Sequence, residues 1–257
     1  MVRKRKKISR GAILLVGFVV IASTTGFSIL LFSPRFMPPE VNIVENFDSY
    51  IAEESIDVAS ITNGWFVVGT NIDDPVPTKL AIVESSPITG RRNALKIVDN
   101  SPNTETGVAA HNDNIIDFNS DAKISFEVIP RQSSGTGQYL IVDLLDLQAL
   151  QLLYLRLDLG LMELFYLDRF AGVTNGIQLE PDVINTIIIN VVFMDMNGDS
   201  SDIDYTIKVK NSRTIETGWI SANFEGLGNI QRIRFLTPTE SSSIECYVDN
   251  IGFETVT

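Results

Sequence analysis

The stretch YVDNIGF occupies residues 247–253, close to the end of the chain. Side chains of a β-strand alternate between its two faces, so a strand here puts Asp249 on the face of three apolar or aromatic residues: Tyr247, Ile251 and Phe253. Such a face is typical of one that packs on a core. Burying an unpaired carboxylate is costly, and Asp249 therefore needs a partner in this strand.

Similar short runs fill the chain from residue 65 onward. β-branched and aromatic residues dominate them, and Asn, Asp, Gly, Ser and Pro separate them. Besides residues 244–253, eight runs predict strands: 65–70, 79–85, 94–99, 122–130, 139–146, 184–195, 203–210 and 230–237. Short strands at this spacing predict an all-β fold, a β-sandwich of the jelly-roll type.

Residues 144–169, LLDLQALQLLYLRLDLGLMELFYLDR, are rich in leucine and leave two alternatives open. Leucine has a high helix propensity, but alternation also allows a hairpin that turns at Gly160. In the hairpin, Leu153 and its alternate leucines face one side, and Tyr154, Arg156 and Asp158 face the other. The hairpin is favoured because a helix would interrupt an otherwise all-β order.

The N-terminus differs in charge from the rest of the chain. Six of the 20 Lys and Arg residues lie within residues 1–10, and the net charge of the whole chain is -12. Residues 11–32 carry no charge. A segment of this length is long enough to cross a bilayer as one helix. Residues 11–32 are therefore predicted to be a transmembrane signal-anchor in the lipid bilayer. The positive-inside rule then predicts that residues 1–10 are a cytoplasmic tail and that the chain beyond the anchor lies outside the cell membrane. That outer part consists of a Pro-containing stalk, residues 33–44, and a domain, residues 45–257.

Two alternatives to a retained anchor stay open. Residues 11–32 could be a signal peptide that is cleaved, which would release a secreted domain. Residues 10–13, RGAI, also resemble the processing site of archaeal type IV pilin precursors, and cleavage after Gly11 would leave a hydrophobic helix able to assemble into a filament.

Composition and motifs exclude several functions. The acidic domain is a poor nucleic-acid binder, because phosphate neutralisation needs clustered Lys and Arg. Cys246 is the single cysteine, predicted to be a buried and inert thiol. No serine-hydrolase elbow, phosphate loop or zinc-protease motif occurs, and His111, the single histidine, is expected on a surface loop. We therefore expect no catalytic residues.

The order of ENFDSY (45–50), NGW (63–65), a run of strands and YVDNIGF resembles the jelly-roll sandwiches of carbohydrate-binding modules. It is also similar to the concanavalin A-like lectin (laminin-G-like) group. The resemblance implies that the first and last strands pair. It also implies that Glu45, Asp48 and Asp249 hold a structural calcium, an ion that prefers oxygen ligands. The alternative is that Asp249 accepts backbone N–H bonds at the sheet rim, or pairs with Arg232 or Arg234.

Glycan recognition in such modules uses exposed aromatic side chains with polar neighbours. Tyr154, Arg156, Asp158 and Tyr166 are the predicted ligand-binding residues, whereas Trp65 and Trp219 are expected to cap the core. Residues 195–204, DMNGDSSDID, are read as a hairpin turn in preference to a calcium loop. The sequence thus predicts a non-catalytic, membrane-anchored surface module that binds glycan or another surface ligand; the alternative is a structural or pilin-like subunit that self-assembles.

Overall fold

The computed structural model describes residues 22–23, 26–27, 43–56, 64–71, 73, 77–100, 107–113, 115–117, 120–133, 138–146, 148–149, 151–168, 172–173, 176–194, 202–222, 229–238 and 243–256. The chain divides into two compact units, residues 1–40 and residues 41–257.

In the first unit, strands β1 (Ala22–Ser23) and β2 (Gly26–Phe27) pair antiparallel, with Ala22 opposite Phe27. These four residues belong to the predicted transmembrane segment 11–32, and they are extended instead of helical. The rest of that segment, the basic tail and residues 33–42 lie outside the described residues. Within the described ranges, no helix is long and apolar enough to cross a membrane, so the predicted transmembrane helix gains no support from the structure.

The strands of the second unit follow in chain order: β3 (Ile43–Glu45), β4 (Trp65–Val68), β5 (Lys79–Ser85), β6 (Asn93–Asp99), β7 (Ala109–Asn112), β8 (Ala122–Pro130), β9 (Tyr139–Asp146), β10 (Gln151–Asp158), β11 (Glu163–Asp168), β12 (Gly172–Val173), β13 (Ile177–Gln178), β14 (Asn185–Met194), β15 (Asp202–Lys210), β16 (Thr214–Glu216), β17 (Ile220–Ser221), β18 (Ile230–Leu236) and β19 (Ile244–Thr255). All nine runs predicted as strands are strands here. Because β3 begins at Ile43, the last two residues of the predicted stalk are part of the sandwich.

Two antiparallel sheets make up this unit. The first sheet has the order β16-β15-β14-β8-β19-β6-β5, with β17 beside β15 and β3 beside β19. The second sheet has the order β12-β11-β10-β9-β18-β7-β4, with β13 beside β11. Successive segments of the chain cross from one sheet to the other several times, as expected for a jelly-roll connection. The predicted all-β sandwich is confirmed.

Alternating apolar residues build the core between the sheets. The first sheet contributes buried side chains from β14, namely Ile187, Ile189 and Val191. The second sheet contributes alternate leucines of β10. Each such side chain stabilises the fold by roughly 1.5–3 kcal/mol relative to an exposed one. Strands β10 and β11 pair antiparallel, with Leu155 opposite Tyr166, so the predicted hairpin is confirmed, and the described residues of 144–169 contain no helix.

Strand β19 connects the two ends of the domain. It lies between β8 and β6, and β3 pairs with it so that Glu45 is opposite Ile251. The implied pairing of first and last strands is therefore confirmed. Cys246, also on β19, is buried, and burial raises the pKa of its thiol to about 12, in agreement with the predicted inert thiol.

A β-bulge in β19 changes which residues share a face. The register shifts between Asp249 and Gly252, and Asn250 has a φ of 48°. Before the bulge, Val248 packs in the core while Asp249 points to the outer side; after it, Ile251 packs in the core. The prediction that Asp249 and Ile251 share a core face is therefore wrong, because strict alternation does not hold across a bulge.

Candidate functional site

The carboxylate of Glu45 is held by four protein donors. The backbone N–H groups of Asn46 and Phe47 donate to Oε1, at 3.0 and 3.1 Å. The Tyr50 hydroxyl and the Trp65 indole N–H donate to Oε2, at 2.5 and 3.1 Å. Because Trp65 belongs to the second sheet and Glu45 to the first, this buried carboxylate links the two sheets directly.

Asp249 lies on the outer side of the first sheet and is 6% exposed. Its Oδ1 accepts a hydrogen bond from Asn250 N at 2.8 Å, and Glu127 lies opposite it on β8. Burial raises the pKa of Asp249 to about 7; Glu127 and Asp48 add to the rise, while the Asn250 N–H and Arg91 oppose it. Asp249 thus has the backbone partner of the rim alternative, but neither of the two arginines predicted for it.

The predicted calcium ligands all have hydrogen-bond partners within the protein. Glu45 already accepts four hydrogen bonds, and Asp48 accepts one from Asn93 N at 3.2 Å. In the part of the chain that the structure describes, no group of three or more His, Cys, Asp or Glu side chains is arranged to hold a metal ion. Calcium at Glu45, Asp48 and Asp249 stays an untested prediction, and no function is derived from it. Residues 195–201 lie outside the described residues, between the paired strands β14 and β15.

A row of polar and aromatic side chains crosses the outer face of the second sheet. Phe66 on β4 is opposite His111 on β7, which is opposite Arg234 on β18. Arg234 is opposite Asp143 on β9, which is opposite Tyr154 on β10. Five neighbouring strands therefore present five side chains in one line, about 19 Å long at the usual strand spacing of about 4.8 Å. We name the polar face by this row and its outward neighbours: Phe66, His111, Asp113, Tyr139, Asp143, Gln151, Tyr154, Arg156, Phe165, Arg232 and Arg234.

Two ion pairs fix the centre of the polar face. Arg234 donates from Nε and Nη2 to Oδ2 of Asp143, at 3.0 and 2.5 Å, and Gln151 Nε2 donates to Oδ1 at 2.5 Å. Arg232 donates from Nε to Oδ1 of Asp113 at 2.6 Å and from Nη2 to Oδ2 at 3.0 Å. Paired and bidentate contacts of this kind hold the side chains in fixed positions before any ligand arrives.

His111 lies on strand β7 and not on the expected surface loop. Its ring stacks on Phe66, with 5.4 Å between the ring centroids, and its Nε2 is 3.8 Å from Asp113 Oδ1. Burial lowers the pKa of His111 below its ordinary value, and Arg232 and Arg234 lower it further, whereas Asp113 opposes them. The imidazole is therefore neutral at pH 7 and can both donate and accept a hydrogen bond.

Aromatic residues surround Arg156 at one end of the polar face. Its guanidinium carbon is 5.2 Å from the Tyr139 ring centroid and 4.6 Å from that of Phe165. Tyr154 points to the same side of β10, and burial raises the pKa of its phenol. Tyr154 therefore stays protonated near neutral pH and presents a hydroxyl group that can bind polar ligands.

The four predicted ligand-binding residues do not form one group. Tyr154 and Arg156 lie on the polar face. Asp158 is buried at the end of β10, where its Oδ1 accepts hydrogen bonds from Gly160 N and Leu161 N at 3.1 and 3.0 Å. Tyr166 is opposite Leu155 and packs against the core from the other side of the sheet. Asp158 thus shapes the β10–β11 turn, and Tyr166 faces away from Tyr154.

The two tryptophans differ from each other in exposure. Trp65 is buried between Phe47 and Phe235, as predicted for a residue that caps the core. Trp219 is 61% exposed just before β17, so its predicted core position is wrong. It directly precedes β17, which pairs with β15 in the first sheet.

Sequence reasoning missed the centre of the polar face. Asp143, Arg234 and His111 were not singled out as ligand-binding residues. Their signal is the alternation in YLIVDLLD (139–146) and IQRIRFL (230–236), which places polar residues on the outward face of two strands. The strand order that brings these outward faces together is not readable from either segment alone.

Comparisons with known proteins agree on the fold. No family model matches the chain, and no curated protein matches its sequence. Among solved structures, the PL-14 alginate lyase from Aplysia kurodai has a TM-score of 0.57 at 10% identity, over 84% of this chain and 100% of that one. The conserved carbohydrate esterase of Shiga toxin-encoding bacteriophage phi24B has a TM-score of 0.52 at 11% identity, over 85% and 100%.

A sialidase has a TM-score of 0.55 at 16% identity over 84% of this chain, which spans only 19% of the sialidase. At these identities the likeness concerns the fold alone. The chain therefore has a β-sandwich fold that also occurs in proteins described as an alginate lyase, a carbohydrate esterase and a sialidase.

Proposed function

We propose that the sandwich is a carbohydrate-binding domain whose binding surface is the polar face. The observation that carries this proposal is the line from Phe66 to Tyr154, in which aromatic rings at both ends flank a fixed Arg234–Asp143 pair across five strands. Saccharides offer apolar ring faces and many hydroxyl groups, and such a line matches both. Its length of about 19 Å suits an oligosaccharide better than a single sugar.

The exposure of Phe66 supports this assignment. Phe66 is 52% exposed although it is a large apolar residue, and its ring is held by stacking on His111. An ordered aromatic ring that remains open to solvent suits stacking on a sugar ring. Arg234 and Tyr154 then supply hydrogen-bond donors on the same face.

The cellular setting that we propose is the outer surface of the membrane, with residues 11–32 as the anchor. The support is the uncharged run after six basic residues. In this setting, the domain would hold glycans close to the cell. A secreted form and a filament-forming form remain the alternatives, and residues 1–40 distinguish them through N-terminal sequencing of the mature protein.

The test is binding of the full chain to a panel of neutral and acidic polysaccharides, measured by affinity electrophoresis. Phe66→Ala should weaken binding about tenfold or more, because the stacking surface is lost. Trp219→Ala is the matched control, since it removes a similarly exposed aromatic ring next to the other sheet. Equal effects of the two substitutions, or no binding to any polysaccharide, would refute the binding face.

The same panel tests the expectation that the domain is not an enzyme. His111, neutral at pH 7, and the protonated Tyr154 are groups that could move protons, so each polysaccharide is also assayed for new chain ends after incubation. If the wild type cleaves a polysaccharide and His111→Ala does not, the expectation that the domain is not an enzyme is wrong. Light scattering on the same samples tests the alternative of a self-assembling subunit, which predicts large particles without any ligand.

A further inference from the structure

The three arginines of the polar face differ in how their charge is balanced. Arg232 forms a bidentate pair with Asp113, and Arg234 donates two hydrogen bonds to Asp143. Both positive charges are therefore neutralised inside the protein. These two arginines order the face and have little positive charge left to attract a ligand.

Arg156 has no such acid. Within the described residues it forms no salt bridge, and its Nε is buried without a hydrogen-bond acceptor. Its neighbours across the sheet are Ile141 on β9 and Phe165 on β11, which offer no charge. The closest acid along the strand, Asp158, is engaged in the turn through Gly160 and Leu161.

The guanidinium of Arg156 is nevertheless held in place. The rings of Tyr139 and Phe165 contact it at 5.2 and 4.6 Å, and such cation–π contacts fix its plane without neutralising its charge. The buried Nε has no acceptor among the described residues, so no protein acceptor offsets the charge of the guanidinium there. The planar guanidinium suits carboxylate and sulfate oxygens, which it can bind by two parallel hydrogen bonds.

We propose that Arg156 binds the anionic substituent, carboxylate or sulfate, of an acidic saccharide that lies on the polar face. This inference rests on the proposed function and names the class of its ligand. The chain has a net charge of -12 and repels polyanions in general, so attraction must come from this local unpaired charge. Binding therefore depends on one residue and not on a broad basic surface.

The experiment measures, by titration calorimetry on the full chain, the affinity for a uronate oligosaccharide, a sulfated oligosaccharide and a neutral glucan of equal length. The wild type should prefer at least one acidic ligand. Arg156→Gln should weaken that ligand about tenfold or more and leave the neutral glucan unchanged. Arg156→Lys, which keeps the charge without the planar fork, should fall between them.

The matched control is Arg131→Gln. Arg131 also lies over an aromatic ring, 5.8 Å from the centroid of Tyr247, but it is paired with Asp182 and directly follows β8 of the first sheet. Loss of affinity for the uronate alone, the sulfated ligand alone, or both identifies the anion. If the neutral glucan binds as tightly as the acidic ligands and Arg156→Gln changes no affinity, the inference is overturned but the binding face is retained. If none of the three ligands binds, both the inference and the proposed function are overturned.

Discussion

Arg234 donates hydrogen bonds from both Nε and Nη2 to a single oxygen of Asp143, Oδ2, while the other oxygen accepts from Gln151. Asp143 is 1% exposed and Arg234 is partly exposed. The carboxylate of Asp143 therefore lies beneath the polar face. Its buried negative charge holds the side chains of Arg234 and Gln151 in position.

The first prediction is that Asp143→Asn destabilises the domain by about 2–3 kcal/mol. The substitution removes the buried charge, leaves Arg234 without its acid and replaces one acceptor by a donor. Urea unfolding measures the change. The control is Glu216→Gln, which breaks an exposed pair with Lys208 and should cost no more than about 0.5 kcal/mol; equal costs would contradict the argument.

The sequence predicted the strands better than the site because the two depend on different information. The leucines of β10 alternate within eight residues, so local pattern is enough to place them in the core. The polar face needs the neighbours of each strand: Arg234 meets Asp143 only because β18 lies beside β9, and these residues are 91 positions apart in the chain. Alternation gives the direction of each side chain but not its cross-strand partner.

The surroundings of Glu45 and Asp249 show a different limit. The sequence places Glu45 and Asp249 on paired strands, and it correctly brings the chain ends together. It cannot show that Tyr50 and Trp65 reach back to Glu45, or that one extra residue in β19 turns Asp249 away from the core. Bulges and side-chain networks depend on the assembled sheets.

The second prediction concerns Glu45. Glu45→Gln keeps one oxygen for the backbone donors but presents an amide N–H₂ to the Tyr50 hydroxyl and the Trp65 N–H, so it should cost about 1–3 kcal/mol. The emission of Trp65 should shift as well, because its indole donor loses the carboxylate. Glu53→Gln, at an exposed carboxylate on the nearby turn, serves as control and should change neither the stability nor the emission.

The third prediction concerns calcium at the same carboxylate. Since four donors already satisfy Glu45, the melting temperature of the full chain should be the same in calcium and in chelator. Differential scanning calorimetry measures it. A melting temperature that falls in chelator for the wild type, and no longer falls in Glu45→Gln, would instead support the calcium prediction.

The fourth prediction is a loss of stability as pH rises through 7. Asp249 releases its proton near pH 3.8 in the unfolded chain but near pH 7 in the folded one. The folded domain binds this proton more tightly than the unfolded chain does. The resulting contribution to the free energy of unfolding is fully present below about pH 4 and is lost as the pH rises through the folded pKa of about 7. Asp249 faces the acids Glu127 and Asp48 and the base Arg91, so ionisation near pH 7 adds a third negative charge to this group.

Asp249→Asn tests this pH dependence. The asparagine oxygen still accepts from Asn250 N, so the variant should equal the wild type near pH 4 and exceed it by on the order of 2 kcal/mol at pH 8. Urea unfolding at both pH values gives the comparison. Glu53→Gln should keep the wild-type pH profile, and an Asp249→Asn profile parallel to the wild type would show that another group is responsible.

The fifth prediction concerns the bulge in β19. Asn250 has a φ of 48°, a left-handed conformation that Asn and Gly adopt more easily than a β-branched residue. It also donates from Nδ2 to Glu127 Oε2 at 2.9 Å. Asn250→Gly should therefore cost about 1 kcal/mol for the lost hydrogen bond, and Asn250→Val about 2 kcal/mol more because of backbone strain.

A second asparagine separates backbone strain from the lost hydrogen bond. Asn190 lies in the regular strand β14 and donates from Nδ2 to Thr206 Oγ1 at 3.0 Å, so Asn190→Val removes a similar bond without strain and suits a strand. Its cost in urea unfolding should stay within about 1 kcal/mol. If Asn250→Val costs no more than Asn250→Gly, the bulge tolerates an ordinary strand residue, and the turn of Asp249 away from the core must have its cause in the pairing with β8 instead of in the conformation of Asn250.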